Sequence, residues 1–144
     1  MSGELADRFE SPIISLKEGE PYVGIPTIED SSVPLILIPK EPGVQPPMFE
    51  FRRVGDPQNR TYEIRIGGRV TLIEGSSVVA VRDRPAQAWG IFFQETENGF
   101  IIQRSVFRPA TVWTAEEDRI DIRINPSTNF PKEQLFRFKG LTGV

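Results

Sequence analysis

Apolar and polar side chains alternate along most of this chain, and almost nowhere do they recur at the 3.6-residue period of a helix. In YEIRI (62–66), RIDIRI (119–124) and LFRFKG (135–140) the apolar and charged residues fall on opposite faces, the pattern of half-buried strands. PLILIP (34–39) and SVVAVRD (77–83) are more continuous and suit strands covered on both sides. The pattern predicts about twelve strands, over 9–14, 21–26, 34–39, 49–54, 62–66, 69–75, 77–83, 89–96, 100–105, 111–116, 119–124 and 135–140. The 13 Pro and 12 Gly fall mostly between them. GG at 67–68 and NG at 98–99 predict tight hairpins, because both pairs tolerate positive φ.

Three stretches say nearly the same thing. PPMFEFRRV (46–54), AQAWGIFFQ (86–94) and EQLFRFKGL (133–141) each set an aromatic two residues before another bulky apolar side chain: Phe49/Phe51, Trp89/Ile91 and Phe136/Phe138. The pairs recur after 40 and then 47 residues, each at the start of the fourth strand of its unit, and spacing of that size marks a repeat architecture. Three four-stranded units are too few for a propeller, which closes with 4–8 blades. The expected fold is all-β, a β-trefoil of twelve short strands with pseudo-threefold symmetry, in preference to a sandwich. In it six strands close a short barrel and six form a hairpin cap. Alternation turns Phe49, Trp89 and Phe136 inward, so they are expected as core, where large aromatics bury about 150–250 Å² each, and not as a sugar-stacking platform.

Composition narrows the chemistry. The 144 residues suit one compact domain, 1–144. A net charge of −3 supplies no basic field for nucleic acid. With no Cys and no His there is no disulfide framework, thiol nucleophile, imidazole base or usual zinc site, and neither metal nor cofactor is expected. The densest acids, IED (28–30) and AEED (115–118), sit at turn-like positions with no sign of two carboxylates facing across a cleft, so the chain is not expected to be an enzyme. Its first residues lack a secretory pattern, and no run approaches the ~20 apolar residues of a membrane helix. A cytoplasmic protein without a membrane partner is expected. A trefoil lectin is a rival, since ricin-like sugar binders carry Gln-x-Trp in each repeat. QAW (87–89) and QLF (134–136) match in part, PMF (47–49) does not, and no Asp recurs in register.

YVGIPTIEDSSVPLILIP (22–39), GVQPPMFEFRRV (43–54) and NPSTNFPKEQLFRFKGL (125–141) resemble the fungal β-trefoil serine protease inhibitors of the cospin type, a likeness spanning residues 20–141. The resemblance implies a monomer that inhibits a trypsin-, chymotrypsin- or elastase-like serine protease by presenting a rigid, substrate-like loop. It also implies a role in fungal defence. A non-inhibitory relative that binds another protein is the second alternative. The candidate first loop is Gly24, Ile25, Pro26 and Thr27: where the family carries a basic anchor after Tyr-Val-Gly this chain has Ile25 followed by Pro26, and Ile25 suits an elastase-like pocket better than a trypsin-like one. The family's second loop, before the last strand, holds Lys132 and Glu133, and further basic anchors are Arg60, followed by Thr61, and Arg104.

Overall fold

A computed structural model of the chain describes residues 5–56, 58, 60–104 and 109–139. Among the described residues fourteen strands form one antiparallel sheet. They are β1 (Arg8–Ser11), β2 (Ile13–Ser15), β3 (Tyr22–Gly24), β4 (Ser32–Pro34), β5 (Ile36–Ile38), β6 (Phe49–Arg53), β7 (Thr61–Ile66), β8 (Arg69–Glu74), β9 (Ser77–Val81), β10 (Ala88–Gln94), β11 (Gly99–Gln103), β12 (Ala110–Glu116), β13 (Arg119–Asn125) and β14 (Phe136–Phe138). Each of the twelve expected strands has a counterpart, and the count rises because the first and third are broken.

The first break has a chemical cause. Pro12 carries no N–H, so it cannot continue the ladder that β1 makes with β6, which ends at Ser11 opposite Phe49. Past Pro12 the chain pairs with a different neighbour, β14, through Ile13 opposite Phe138. One sequence stretch thus brings β6 and β14 to its two ends, and the pairs β6–β7, β7–β10, β10–β11 and β11–β14 complete a closed, barrel-like wall. The third expected strand, PLILIP, divides at Leu35. β4 pairs with β9, β5 pairs with β3, and the Leu35 N–H donates to the Val78 carbonyl while its own carbonyl accepts from Ile120. Three hairpins, β3–β5, β8–β9 and β12–β13, therefore meet at one end of the wall.

Turn chemistry follows φ. Gly67 and Gly68, both with positive φ, close β7 onto β8 in two residues. NG departs from expectation: only Asn98 is left-handed, its N–H closing a four-residue connection onto the Gln94 carbonyl, while Gly99 already belongs to β11.

Inside the wall lies one large apolar cluster. Phe49, Trp89 and Phe136 are completely buried. Trp113, outside the repeated pattern, stands edge-on between Trp89 and Phe136, with ring centroids 5.3 and 6.1 Å away. The second members of the triplet build a further layer, in which Phe51 stacks on Phe9 at 4.4 Å and meets Phe138 edge-on at 5.2 Å.

Candidate functional site

The three hairpins differ in one respect. β8–β9 closes through Gly75–Ser76 and β12–β13 through Glu117–Asp118, two residues each, with Gly75 and Glu117 supplying the positive φ such turns need. β3–β5 instead leaves residues 25–35 between its last paired residues, Gly24 and Ile36. Part of that length is β4 and the buried Leu35 that follows it; 25–31 is a loop with no strand of its own.

Both ends of this loop are clamped. Gly24 is buried in the ladder, where a Cβ would lie 2.6 Å from Ile38 Cδ1 and 2.8 Å from Pro47 Cγ, so the chain leaves β3 in close contact with two side chains. Ile25 is half-buried against the main core and Pro26 is half-buried beside it. At the far end the Ser31 carbonyl accepts both the Arg82 N–H at 3.1 Å and the Arg69 guanidinium, Nη1 to O 3.2 Å. Arg69 is 2% exposed and also donates to the Ala80 carbonyl, so this anchor sits beneath the surface. Ser32 Oγ adds a bond to Glu74 Oε1. Between the clamps Thr27, Ile28, Glu29, Asp30 and Ser31 are exposed. No described non-glycine residue of the loop has positive φ, and among the described residues no backbone hydrogen bond engages residues 25–30.

The second loop, between β13 and β14, is held from within. Asn125 Nδ2 donates to Gln134 Oε1 (2.7 Å) and to the Asn129 carbonyl, and Asn125 Oδ1 accepts the Ser127 N–H. Gln134 Nε2 reaches Thr114 Oγ1. Lys132 and Glu133 are exposed but lie in a 3-10 turn, Lys132–Gln134, in which the Lys132 carbonyl accepts from the Leu135 N–H. A substrate-like anchor needs an extended backbone and a free carbonyl to offer to an oxyanion hole. Lys132 has neither.

Of the remaining basic candidates, Arg60 meets the same objection. Arg60 has φ 55° and its carbonyl accepts the Ile91 N–H. Thr61 is already in β7, its hydroxyl donating to the Val54 carbonyl. Arg104 is exposed at the end of β11, where its N–H donates to Thr111; Ser105–Arg108 lie outside the described residues. Of the candidates whose loops are fully described, Gly24, Ile25, Pro26 and Thr27 share a clamped loop with an open tip. Arg69, Asn125 and Gln134, which the sequence reading did not single out, are the side chains that hold the two loops. A signal was present for the first loop in the unequal spacing between paired strands.

Within AEED an acid is engaged in an ion pair. Glu116, the last residue of β12, faces Arg123 across the hairpin and takes a bidentate contact from it. The Arg123 guanidinium beside it holds the Glu116 carboxyl below its usual range, and Arg137, with Lys40, does the same for Glu20. A general acid needs the opposite shift. A carboxyl depressed on folding contributes stability above its unfolded value, about 4.3, and loses it as pH falls through the lower folded value. The melting temperature of Glu116→Gln is accordingly expected below that of the unmutated chain at pH 7. That small, salt-screened difference should shrink as pH falls below the unfolded value and the carboxyl is protonated, which thermal melts across pH will check. Among the described residues no group of three or more His, Cys, Asp or Glu is placed to hold a metal, and no helix is long and apolar enough to cross a membrane.

No family model matches the chain, and no curated protein sequence does. A solved structure does: a proteinase inhibitor from Coprinopsis cinerea aligns over 94% of this chain and 99% of its own, with a TM-score of 0.72 and 17% identity. The chain thus shares its fold with that inhibitor.

Proposed function

We propose that the chain is a β-trefoil inhibitor of serine proteases and that it lays residues 25–31 into the protease cleft as an uncleaved substrate mimic. The trefoil reading rests on the closed wall, the three hairpins meeting at one end, and the aromatic triplet at 40- and 47-residue intervals. The observation that carries the function is the departure from threefold regularity: two hairpins close in two residues and the third spends residues 25–31 on an exposed loop. Long loops in compact domains are kept for binding.

Its build suits the task. A backbone with no internal hydrogen-bond partner and no left-handed residue can add to the edge of a protease cleft as a strand, and clamping both ends before the encounter removes much of the ordering cost that weakens a flexible peptide. The inhibitor contributes no catalytic group, which fits a chain without His or Cys. The Coprinopsis cinerea protein of like fold is itself a proteinase inhibitor, in agreement with this reading.

The test is an inhibition panel of trypsin, chymotrypsin, elastase and subtilisin, each followed with a chromogenic substrate. Titration of at least one enzyme near one inhibitor per enzyme is expected. Unchanged rates with all four, at inhibitor in large excess, overturn the proposal. The lectin alternative would need an Asp and an exposed aromatic ahead of the Gln-x-Trp element of each repeat, and no such Asp recurs in register.

A further inference from the structure

We infer that Ile28 is the anchoring side chain of the loop, and that the target enzyme has an apolar specificity pocket sized for a branched aliphatic group, as in elastase-like proteases. This rests on the reading that residues 25–31 enter a protease cleft.

The two isoleucines of the loop have opposite fates. Ile25 is half-buried and packs on the main core, so it cannot also fill a partner's pocket without leaving its place. Ile28 is 47% exposed, one of three large hydrophobic side chains so exposed among the described residues, and it is the central residue of the loop 25–31, between Thr27 and Glu29. The other two are not part of this loop: Met48 directly precedes β6, and Ile124 is inside β13, paired with Thr111. An exposed apolar side chain on an otherwise polar tip, with a free backbone on both sides and clamps at both ends, is what a pocket-filling anchor requires.

Chemistry selects the pocket. A trypsin-like pocket has an Asp at its base, which an isoleucine would bury without a partner. A chymotrypsin-like slot suits flat rings; a short, β-branched side chain fits the smaller pocket of an elastase. Glu29 and Asp30 follow the anchor, so an enzyme lined with carboxylates beyond its pocket is disfavoured. No basic residue lies in the loop, and this separates the chain from an inhibitor of trypsin.

The experiment compares the unmutated protein, Ile28→Ala and Ile28→Lys against elastase, chymotrypsin and trypsin, with equal melting temperatures as the folding control, since an exposed side chain contributes little to stability. The unmutated protein is expected to titrate elastase and spare trypsin. Ile28→Ala should bind elastase roughly thirty-fold more weakly or worse, and Ile28→Lys should gain inhibition of trypsin. Mass spectrometry after prolonged incubation should find any cleavage at the Ile28–Glu29 bond. An enzyme inhibited equally by the unmutated protein and Ile28→Ala overturns the inference and leaves the inhibitor reading standing. Failure of the unmutated protein on every enzyme, together with an Ile28→Lys that is inert toward trypsin, overturns both.

Discussion

Trp89→Ala is expected to remove about 3–5 kcal/mol of folding stability, the range for deleting a large buried aromatic. Domains of this class hold about 5–15 kcal/mol in all, so the variant stands near the edge of folding and should melt roughly 10–20 °C lower. The size of the effect follows from what the ring touches. Trp89 is fully buried, lies edge-on to Trp113 at 5.3 Å, and through Trp113 reaches Phe136, so the vacated space opens inside the cluster that all three repeats share. Its indole N–H donates to Thr71 Oγ1 at 2.9 Å, and Thr71 in turn donates to the Ile64 carbonyl. Trp89→Phe keeps much of the packing and loses that donor, and should cost about 1–3 kcal/mol. Urea unfolding of the two variants measures the gradation. A loss below about 1 kcal/mol for Trp89→Ala would falsify the claim that the repeated aromatics are shared core. Inhibition per folded molecule should be unchanged in Trp89→Phe, because the ring supports the barrel and not the loop.

The strands and their inward faces were legible because alternation is a local property. FEFRR in β6 reads directly as Phe49 and Phe51 in, Glu50 and Arg52 out, and burial follows that order. Where one residue answers to two ladders the local rule loses its grip. Pro12 ends one pairing and hands the chain to another, and Leu35 sits between β4 and β5 with backbone bonds to two different strands, so PLILIP reads as a single strand only when its neighbours are unknown. The site was less legible for the same reason. Ile25 and Ile28 are chemically identical along the sequence, and only the packing of Ile25 on the core decides which is free. Lys132 reads as an exposed base before a strand, yet a 3-10 turn occupies its carbonyl. The turn is stabilised from Asn125 and Thr114, through Gln134, and no short window of sequence contains all three.

Asn125→Ala is the sharper probe of that second loop, with an expected loss of about 2–3 kcal/mol. The substitution removes three bonds at once: it leaves Gln134 Oε1 buried without its donor, and it frees the Ser127 N–H and the Asn129 carbonyl. Most of the cost lies in the buried amide, since the exposed groups can turn to water. Replacing both partners, Asn125→Leu with Gln134→Leu, should therefore cost less than the sum of the single changes, a coupling that a double-mutant cycle reads directly. Amide exchange at residues 126–131 should quicken in Asn125→Ala, because the loop keeps its covalent path while losing its internal ties. Protease inhibition is expected to stay intact, since residues 25–31 are clamped by Arg69, Arg82 and Glu74 and not by this network. If inhibition falls in step with the exchange protection, the binding surface belongs to the loop before β14, and the assignment of the cleft-filling segment to residues 25–31 is wrong.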